Sequence, residues 1–243
     1  MINKIKNGMV IILLIGFAYS LIFLFKKNNS INYNKLIIDV DSSFLDKNFV
    51  TSFLSKQISS DSQNINFNDL ENQFSSISHV KDVAIYKDLI GNLNVGIKQY
   101  NPVARIVSGD LSGNYINSEG HIFPVSSKYT KRVVLIHMNN DFSKDKKMSS
   151  SKFGKDLLNM INYINDDEFF SKIISELEIN SSKNIVIHPQ FSKQKIIFGY
   201  PDDLDEKFEK INLFYKKIVP AKGWNTYRTV NVKFKNQIIC DKS

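Results

Sequence analysis

The pattern of hydrophobic and polar positions divides the chain into one apolar segment and a long remainder punctuated by polar residues. Residues 8–25 contain no charged side chain, and lysines flank this run on both sides. A helix rises about 1.5 Å per residue, so the run would extend about 27 Å, close to the hydrocarbon thickness of a bilayer. The pattern predicts a transmembrane anchor over 8–25, preceded by a short cytoplasmic tail over 1–7.

A cleaved signal peptide is the alternative interpretation of this run. Ala18, Tyr19 and Ser20 fit the small-x-small pattern of a cleavage site, but residues 21–25 continue the apolar run beyond it. The apolar core of a signal peptide spans only about 7–15 residues and ends before the cleavage site, so we favour an uncleaved anchor. With the short tail inside, the sequence predicts a single-pass type II protein of the cell inner (plasma) membrane whose soluble part is periplasmic or otherwise extracytoplasmic.

The region 31–99 shows the patterns of one strand, two helices and two further strands. Period-two alternation indicates half-buried strands, and apolar positions three and four residues apart indicate amphipathic helices. The predicted strands are 36–40, 80–87 and 93–99, and the predicted helices are 46–58 and 68–77. Asn68 is the expected N-cap of the second helix, and Gly91 and Asn92 are expected to form the last turn. Two helices on one face of a small mixed sheet would bury a modest core.

The region 101–243 mixes short strands with two longer helices. The predicted strands are 103–107, 115–117, 132–137, 173–179, 185–188, 195–198, 230–234 and 237–240, and the predicted helices are 151–165 and 202–219. The terminal strands are expected at a sheet edge, where unpaired backbone groups can recruit a strand of another protein. The whole pattern predicts the α+β class: a transmembrane helix, a βααββ domain, and a mixed β domain with packed helices.

Composition and charge narrow the function. The formal net charge of +8 is spread along the chain without a block of like charges, so no nucleic acid partner is expected. The lone cysteine, Cys240, excludes an intramolecular disulfide. No nucleotide-binding or hydrolase motif is present, and the four histidines lack metal-site spacing. The sequence therefore predicts a binding protein without catalytic, cofactor-binding or metal-binding residues and without a small-molecule substrate.

Three segments, in this order along the chain, resemble a known family. Residues 101–105, Asn-Pro-Val-Ala-Arg, follow the predicted strand 93–99 and are similar to a Pro-Val-Ala-Arg junction of that family. Residues 115–124 resemble its hairpin, which has a central glycine and a closing Phe-Pro. The third segment is the pair of terminal strands after a long helix. On these segments the chain resembles the FtsQ/DivIB cell-division proteins.

The resemblance implies the organisation and the role of the chain. Residues 31–99 would be a POTRA domain and residues 101–243 the family's β domain. The protein would be a non-enzymatic bitopic scaffold of the bacterial divisome at the division septum, coupled to the septal peptidoglycan synthase complex. Its partners would be small bitopic division proteins similar to FtsB and FtsL, because the family pairs its last strand with a segment of FtsB, itself bound to FtsL.

The resemblance also implies which residues bind the partner. Phe234 stands where the family often has an aromatic residue, and residues 236–240 would supply the recruiting edge. The candidate partner-binding residues are Phe234, Asn236, Gln237, Ile238, Ile239 and Cys240. Core packing is the alternative interpretation for Phe234, Ile238 and Ile239, because one face of a strand packs against its own domain.

Two other classes of function stay open on the sequence. A POTRA-type module of protein export or outer-membrane assembly would ordinarily show repeated POTRA units or a barrel, and the sequence has neither an internal repeat nor barrel-length alternation. A membrane-anchored cell-wall hydrolase would need convergent catalytic carboxylates or a metal triad. The divisome scaffold is the preferred hypothesis, and the export module is the alternative.

Overall fold

The chain forms two compact units, Met1–Gln99 and Tyr100–Ser243. The computed structural model describes residues 15–20, 33–41, 43–60, 66–108, 112–138 and 147–242. Within the apolar run, residues 15–20 are described and helical, whereas the rest of the predicted anchor and the predicted tail 1–7 lie outside the described residues. In the described ranges, no helix combines the length and apolarity that crossing a membrane requires.

The first unit combines a small sheet with two helices. In chain order its elements are β1 (Leu36–Val40), α1 (Lys47–Ser60), α2 (Phe67–Ser75), β2 (Val80–Lys87) and β3 (Leu93–Gln99). The three strands lie in the order β1-β3-β2, in which β1 is parallel to β3 and β2 is antiparallel to β3. The unit therefore has the predicted order of strand, helix, helix, strand and strand.

Apolar side chains of the helices and the sheet form the core of the first unit. Its buried residues are Leu45, Val50, Leu54, Leu70, Phe74, Val80, Ile85, Leu93, Val95 and Ile97. The prediction of Asn68 as N-cap of the second helix is wrong. Asn66 caps α2 instead, because its side-chain oxygen accepts the backbone N–H of Asn68 at 3.1 Å, and α2 begins one residue earlier than expected.

The described part of the second unit is built on a nine-stranded mixed sheet. Its strands are β4 (Pro102–Ile106), β5 (Asn114–Asn117), β6 (Ile122–Pro124), β7 (Val134–Met138), β8 (Ile174–Ile179), β9 (Ile185–Pro189), β10 (Lys195–Gly199), β11 (Thr229–Asn231) and β12 (Ile239–Asp241). Their order is β12-β11-β10-β9-β8-β7-β4-β5-β6. The pairs β4/β7, β7/β8 and β10/β11 are parallel, and the other pairs are antiparallel.

Helices cover the apolar face of this sheet. They are α3 (Lys152–Asp166), α4 (Phe170–Ile173), α5 (Leu204–Leu213) and α6 (Val219–Lys222), and a π-helical turn over Phe214–Ile218 joins α5 to α6. Alternate strand positions such as Ile136, Leu177 and Ile187 are buried in one cluster with Leu157 of α3 and Phe208 of α5. The mixed α+β class that the sequence predicts is therefore confirmed.

The long helix predicted over 202–219 differs from the observed one in both bounds and type. Asp203 has a φ of 45°, so helical backbone begins only at Leu204. Pro220 directly follows the predicted helix, but it lies within α6 and does not end the helical segment. The helical segment consequently extends through Lys222, with the π-helical turn in its middle.

Candidate functional site

The last strand, β12, lies at one end of the nine-stranded sheet, and β6 lies at the other end. β12 pairs antiparallel with β11, which places Val230 opposite Cys240 and Asn231 opposite Ile239. Among the described residues, no further strand pairs with β12. The terminal strand therefore occupies the edge position that the sequence pattern predicts.

The register of β11 determines which backbone groups of β12 point outward. The C=O of Arg228 and the N–H of Val232 are hydrogen-bonded to β10, so the backbone N–H and C=O of Val230, between them, also point toward β10. The backbone groups of its neighbour Asn231 then point toward β12, where Asn231 and Ile239 form a hydrogen-bonded pair. Because backbone groups alternate in direction along a strand, the N–H and C=O of Cys240 point away from the sheet, where an added strand would pair with them.

Only two of the candidate residues, Ile239 and Cys240, lie on β12. The others, Phe234, Asn236, Gln237 and Ile238, lie in the connection between β11 and β12. The prediction is therefore wrong where the strands 230–234 and 237–240 approach each other, because β11 ends at Asn231 and β12 begins only at Ile239. β11 ends early because the side-chain oxygen of Asn231 accepts the backbone N–H of Lys233 at 3.0 Å, and Asn236 turns the chain with a φ of 58°.

Helix α5 holds this connection, residues 232–238, through two charged side chains. Lys210 Nζ donates to the backbone C=O of Phe234 at 2.7 Å, and Glu206 Oε1 accepts the backbone N–H of Asn236 at 2.9 Å. The two side chains also form an ion pair at 3.1 Å, four residues apart on the helix. The Asn236 N–H, followed by Lys210, lowers the pKa of the Glu206 carboxyl. These contacts fix the conformation of the connection beside the edge strand.

A groove lies between α5 and the connection 232–238. It encloses about 540 Å³, and its apolar surface includes Leu213, whose exposed fraction is 48%, and the half-buried Ile238. Lys216 and Lys217 contribute positive charge to its lining, and Glu209 contributes one negative charge. The groove therefore offers an apolar surface with a border of net positive charge next to β12.

The burial of the candidate side chains separates core packing from available surface. Ile238 and Cys240 pack against the core cluster of the second unit. Phe234 and Ile239 have exposed fractions of 43% and 46%. The interpretation of core packing therefore applies to Ile238 and not to Phe234 or Ile239. Burial also raises the pKa of the Cys240 thiol, which disfavours the reactive thiolate form.

Sequence reasoning did not identify Glu206, Lys210 and Leu213 as part of this site. Glu206 and Lys210 have the spacing of a helical ion pair, but that spacing does not indicate that the pair also binds a connection about 24–30 residues further along the chain. Leu213 lies off the apolar stripe of α5. An apolar residue on the polar face of a helix can indicate a surface contact, and the sequence did contain this signal.

The strand histidines of the described second unit are paired with carboxylates. His137 Nε2 lies 3.3 Å from Glu176 Oε2, and His188 Nε2 lies 2.9 Å from Glu178 Oε2. In the described ranges, no group of three or more His, Cys, Asp or Glu side chains is placed to hold a metal ion. The histidines therefore contribute cross-strand contacts on the sheet.

The hairpin in the second family-like segment is formed by β5 and β6. The side-chain oxygen of Asn117 accepts the backbone N–H groups of Glu119 and His121, at 3.1 and 2.7 Å. Gly120 has a φ of 80°, and a Cβ at this position would lie 3.0 Å from a methyl carbon of Leu158. The glycine of the motif is thus required both by the turn and by packing against α3.

The described part of the second unit is an α+β domain, a helix-covered mixed sheet with an open edge strand. A mixed sheet with one helix-covered face and a terminal strand open to pairing suits recognition of an extended segment. The family model described as "FtsQ/DivIB, C-terminal related" matches residues 101–241, more than half of the chain. The chain therefore belongs to the FtsQ/DivIB family of non-enzymatic division scaffolds and is a cell-division protein. No curated protein matches it.

Acidification should release the connection 232–238 from α5. Because hydrogen bonding lowers the pKa of Glu206, its stabilising contribution is present above the ordinary carboxyl pKa and is lost as pH falls through the lowered pKa. In hydrogen exchange corrected for intrinsic rates, we expect the Asn236 amide to lose protection over that acidic range. Glu206→Gln should show weak protection throughout and no such transition. Equal pH dependence in both proteins would contradict the role of Glu206.

Proposed function

We propose that this protein is a bitopic scaffold of the divisome that captures a small FtsB/FtsL-like protein by strand addition to β12. The observation that carries the proposal is the edge position of β12 together with the outward direction of the Cys240 backbone groups. Exposed Phe234 and Ile239 would contact alternate side chains of the added strand. Capture of this partner would couple the scaffold to the septal peptidoglycan synthase complex.

The groove beside β12 would receive the part of the partner that continues beyond the paired strand. Leu213 and Ile238 offer apolar contact, and Lys216 and Lys217 favour acidic side chains. Lys210 and Glu206 keep the connection 232–238 in place, which reduces the ordering cost of binding. We therefore expect the partner segment to be extended where it meets β12 and to carry apolar and acidic residues next to that stretch.

Membrane anchoring completes the proposal. Residues 8–25 would span the inner membrane with residues 1–7 in the cytoplasm, and residues 31–99 and 101–243 would lie on the extracytoplasmic side at the septum. Residues 31–99 would be the POTRA domain, because their order of strand, helix, helix, strand and strand is the one that the family resemblance implies. Residues 101–243 would be the β domain, the part of the chain that carries the partner-binding edge.

Depletion of the protein in its host, with imaging of a septal wall label, tests this function. We expect long multinucleate filaments without new septa, because loss of the scaffold would interrupt septal synthesis. Normal division accompanied by an altered set of envelope proteins would contradict the proposal and favour the POTRA-type export or outer-membrane assembly module. Re-expression of the unaltered chain should restore septa and serves as the control.

A further inference from the structure

The turn between β2 and β3 presents two apolar side chains directly to solvent. Leu89 is fully exposed and Ile90 has an exposed fraction of 73%, and the neighbouring Tyr86 is also exposed. Two consecutive aliphatic residues at the tip of a hairpin are unusual, because tight turns ordinarily carry Gly, Asn, Asp, Pro or Ser. The tip, residues 88–92, therefore has a composition that its turn geometry does not require.

The tip is a well-defined turn. Asp88 Oδ1 accepts the backbone N–H groups of Ile90 and Asn92 at 3.1 and 2.8 Å, and Asp88 Oδ2 accepts the side-chain amide of Asn92 at 2.9 Å. These bonds, with the Asn92 N–H first among them, lower the pKa of Asp88. Gly91 supplies the positive φ of 87° that the turn needs. The exposure of Leu89 and Ile90 is thus imposed by a hydrogen-bonded turn.

Asn34, which follows the apolar run closely in the sequence, is hydrogen-bonded to this tip. Asn34 Nδ2 donates to the Ile90 C=O at 2.7 Å, and the Asn34 N–H donates to the Gly91 C=O at 2.9 Å. β1 begins two residues later and runs parallel to β3, so both strands start at the tip. Only residues 26–33 separate Asn34 from the end of the apolar run, and a chain of that length reaches at most about 30 Å.

We infer that the tip of this hairpin inserts Leu89 and Ile90 into the interfacial layer of the membrane in which residues 8–25 are anchored. The inference rests on the proposed anchor. A lipid surface is the favoured occupant because Lys26, Lys27 and Lys35 lie between the apolar run and β1 and suit anionic headgroups.

The small size of the tip also favours lipid over a protein partner. Two side chains bury far less area than a stable protein interface, which needs about 600 Å² or more on each side. A bilayer accepts apolar side chains without a matching shape, and the short tether gives the tip a high effective concentration at the surface. Weak insertion by two residues is therefore sufficient when the anchor is in place, and it would fix the first unit against the bilayer.

Depth-dependent quenching on the full chain tests this inference. In a Cys240→Ala background, Leu89→Cys carries an environment-sensitive nitrobenzoxadiazole label, and Asp82→Cys, exposed at the far end of β2, is the matched control. Both proteins are reconstituted in vesicles of phosphatidylethanolamine and phosphatidylglycerol, with or without lipids that carry a doxyl quencher near the headgroup. We expect quenching of the label at position 89 to exceed that at position 82 by at least about threefold.

Two further measurements separate failure of the inference from failure of the anchor. Resistance to alkaline extraction and protection of residues 8–25 from protease report the anchor alone. An inserted anchor with equal, weak quenching at both positions overturns the inference and leaves the proposed anchoring intact. An extractable chain overturns both. A blue shift at position 89 that appears only when other division proteins are added, without lipid quenching, also overturns it and indicates a protein partner.

Discussion

Replacing Cys240 with proline should weaken capture of the FtsB/FtsL-like partner by at least about tenfold. The substitution removes from β12 the backbone N–H that would donate to the added strand, and the proline ring would obstruct that strand. The Cys240 N–H points away from the sheet, so the substitution removes no hydrogen bond between β11 and β12. Proline is tolerated on an edge strand in this situation. Titration of the full chain in detergent with a labelled partner segment measures the effect as a change in Kd.

The matched control for this experiment is Cys240→Ala. It removes the same thiol from the core contact but keeps the backbone N–H, so its Kd should stay within about threefold of the unaltered chain. Equal loss of affinity in both variants would show that the side chain, and not the edge backbone, binds the partner. Unaltered affinity in a folded Cys240→Pro protein would contradict strand addition at β12.

Truncation of Phe208 should have a large effect on the stability of the second unit. Phe208 of α5 is fully buried, and its ring contacts those of Tyr163, Phe170 and Phe198 at centroid distances of 4.5, 4.7 and 5.2 Å. Truncation to alanine leaves a cavity among these rings. We expect Phe208→Ala to lower the free energy of unfolding of the second unit by about 3–5 kcal/mol.

The single tryptophan makes this measurement specific to the second unit. Trp224 is half-exposed and lies in that unit, so its fluorescence during urea unfolding reports that unit alone. Leu213→Ala on the same helix, with its side chain half-exposed, should cost less than about 1 kcal/mol. Similar midpoints for Phe208→Ala and the unaltered chain would contradict the placement of α5 over the core.

Local patterning was sufficient to predict the elements of the first unit. The strands β1, β2 and β3 have the same bounds as the predicted strands 36–40, 80–87 and 93–99, because alternation of apolar and polar residues directly reflects a sheet with one buried face. The cap of α2 was placed two residues too late. Asn66 and Asn68 are both good capping residues, and only the backbone geometry distinguishes them.

The connection 232–238 was not predictable from local patterning. Val230, Val232 and Phe234 alternate with polar residues as they would in a strand, and the sequence contains no proline or glycine there. The strand ends because Asn231 forms a local turn and because Lys210 and Glu206, distant in sequence, bind the backbone. Tertiary contacts overrode the local preference for a strand.

The edge position of β12 was predicted for a reason that holds more generally. A short terminal strand commonly lies at a sheet edge, where the backbone groups on its outer side are unpaired. The residues that hold the connection 232–238 escaped prediction because they belong to α5, whose charged side chains resemble an ordinary solvated helix face. Only in the folded protein does the burial of Lys210 against the connection distinguish this helix face from an ordinary solvated one.

Hydrogen exchange at Cys240 is the most direct test of strand addition. The full chain would be compared alone and saturated with its FtsB/FtsL-like partner, with the Phe123 amide of the opposite edge strand β6 as the reference. We expect the partner to slow exchange of the Cys240 amide by at least about tenfold and to leave the Phe123 amide unchanged. A saturated complex in which the Cys240 amide exchanges as fast as in the chain alone would contradict partner capture at the edge of β12.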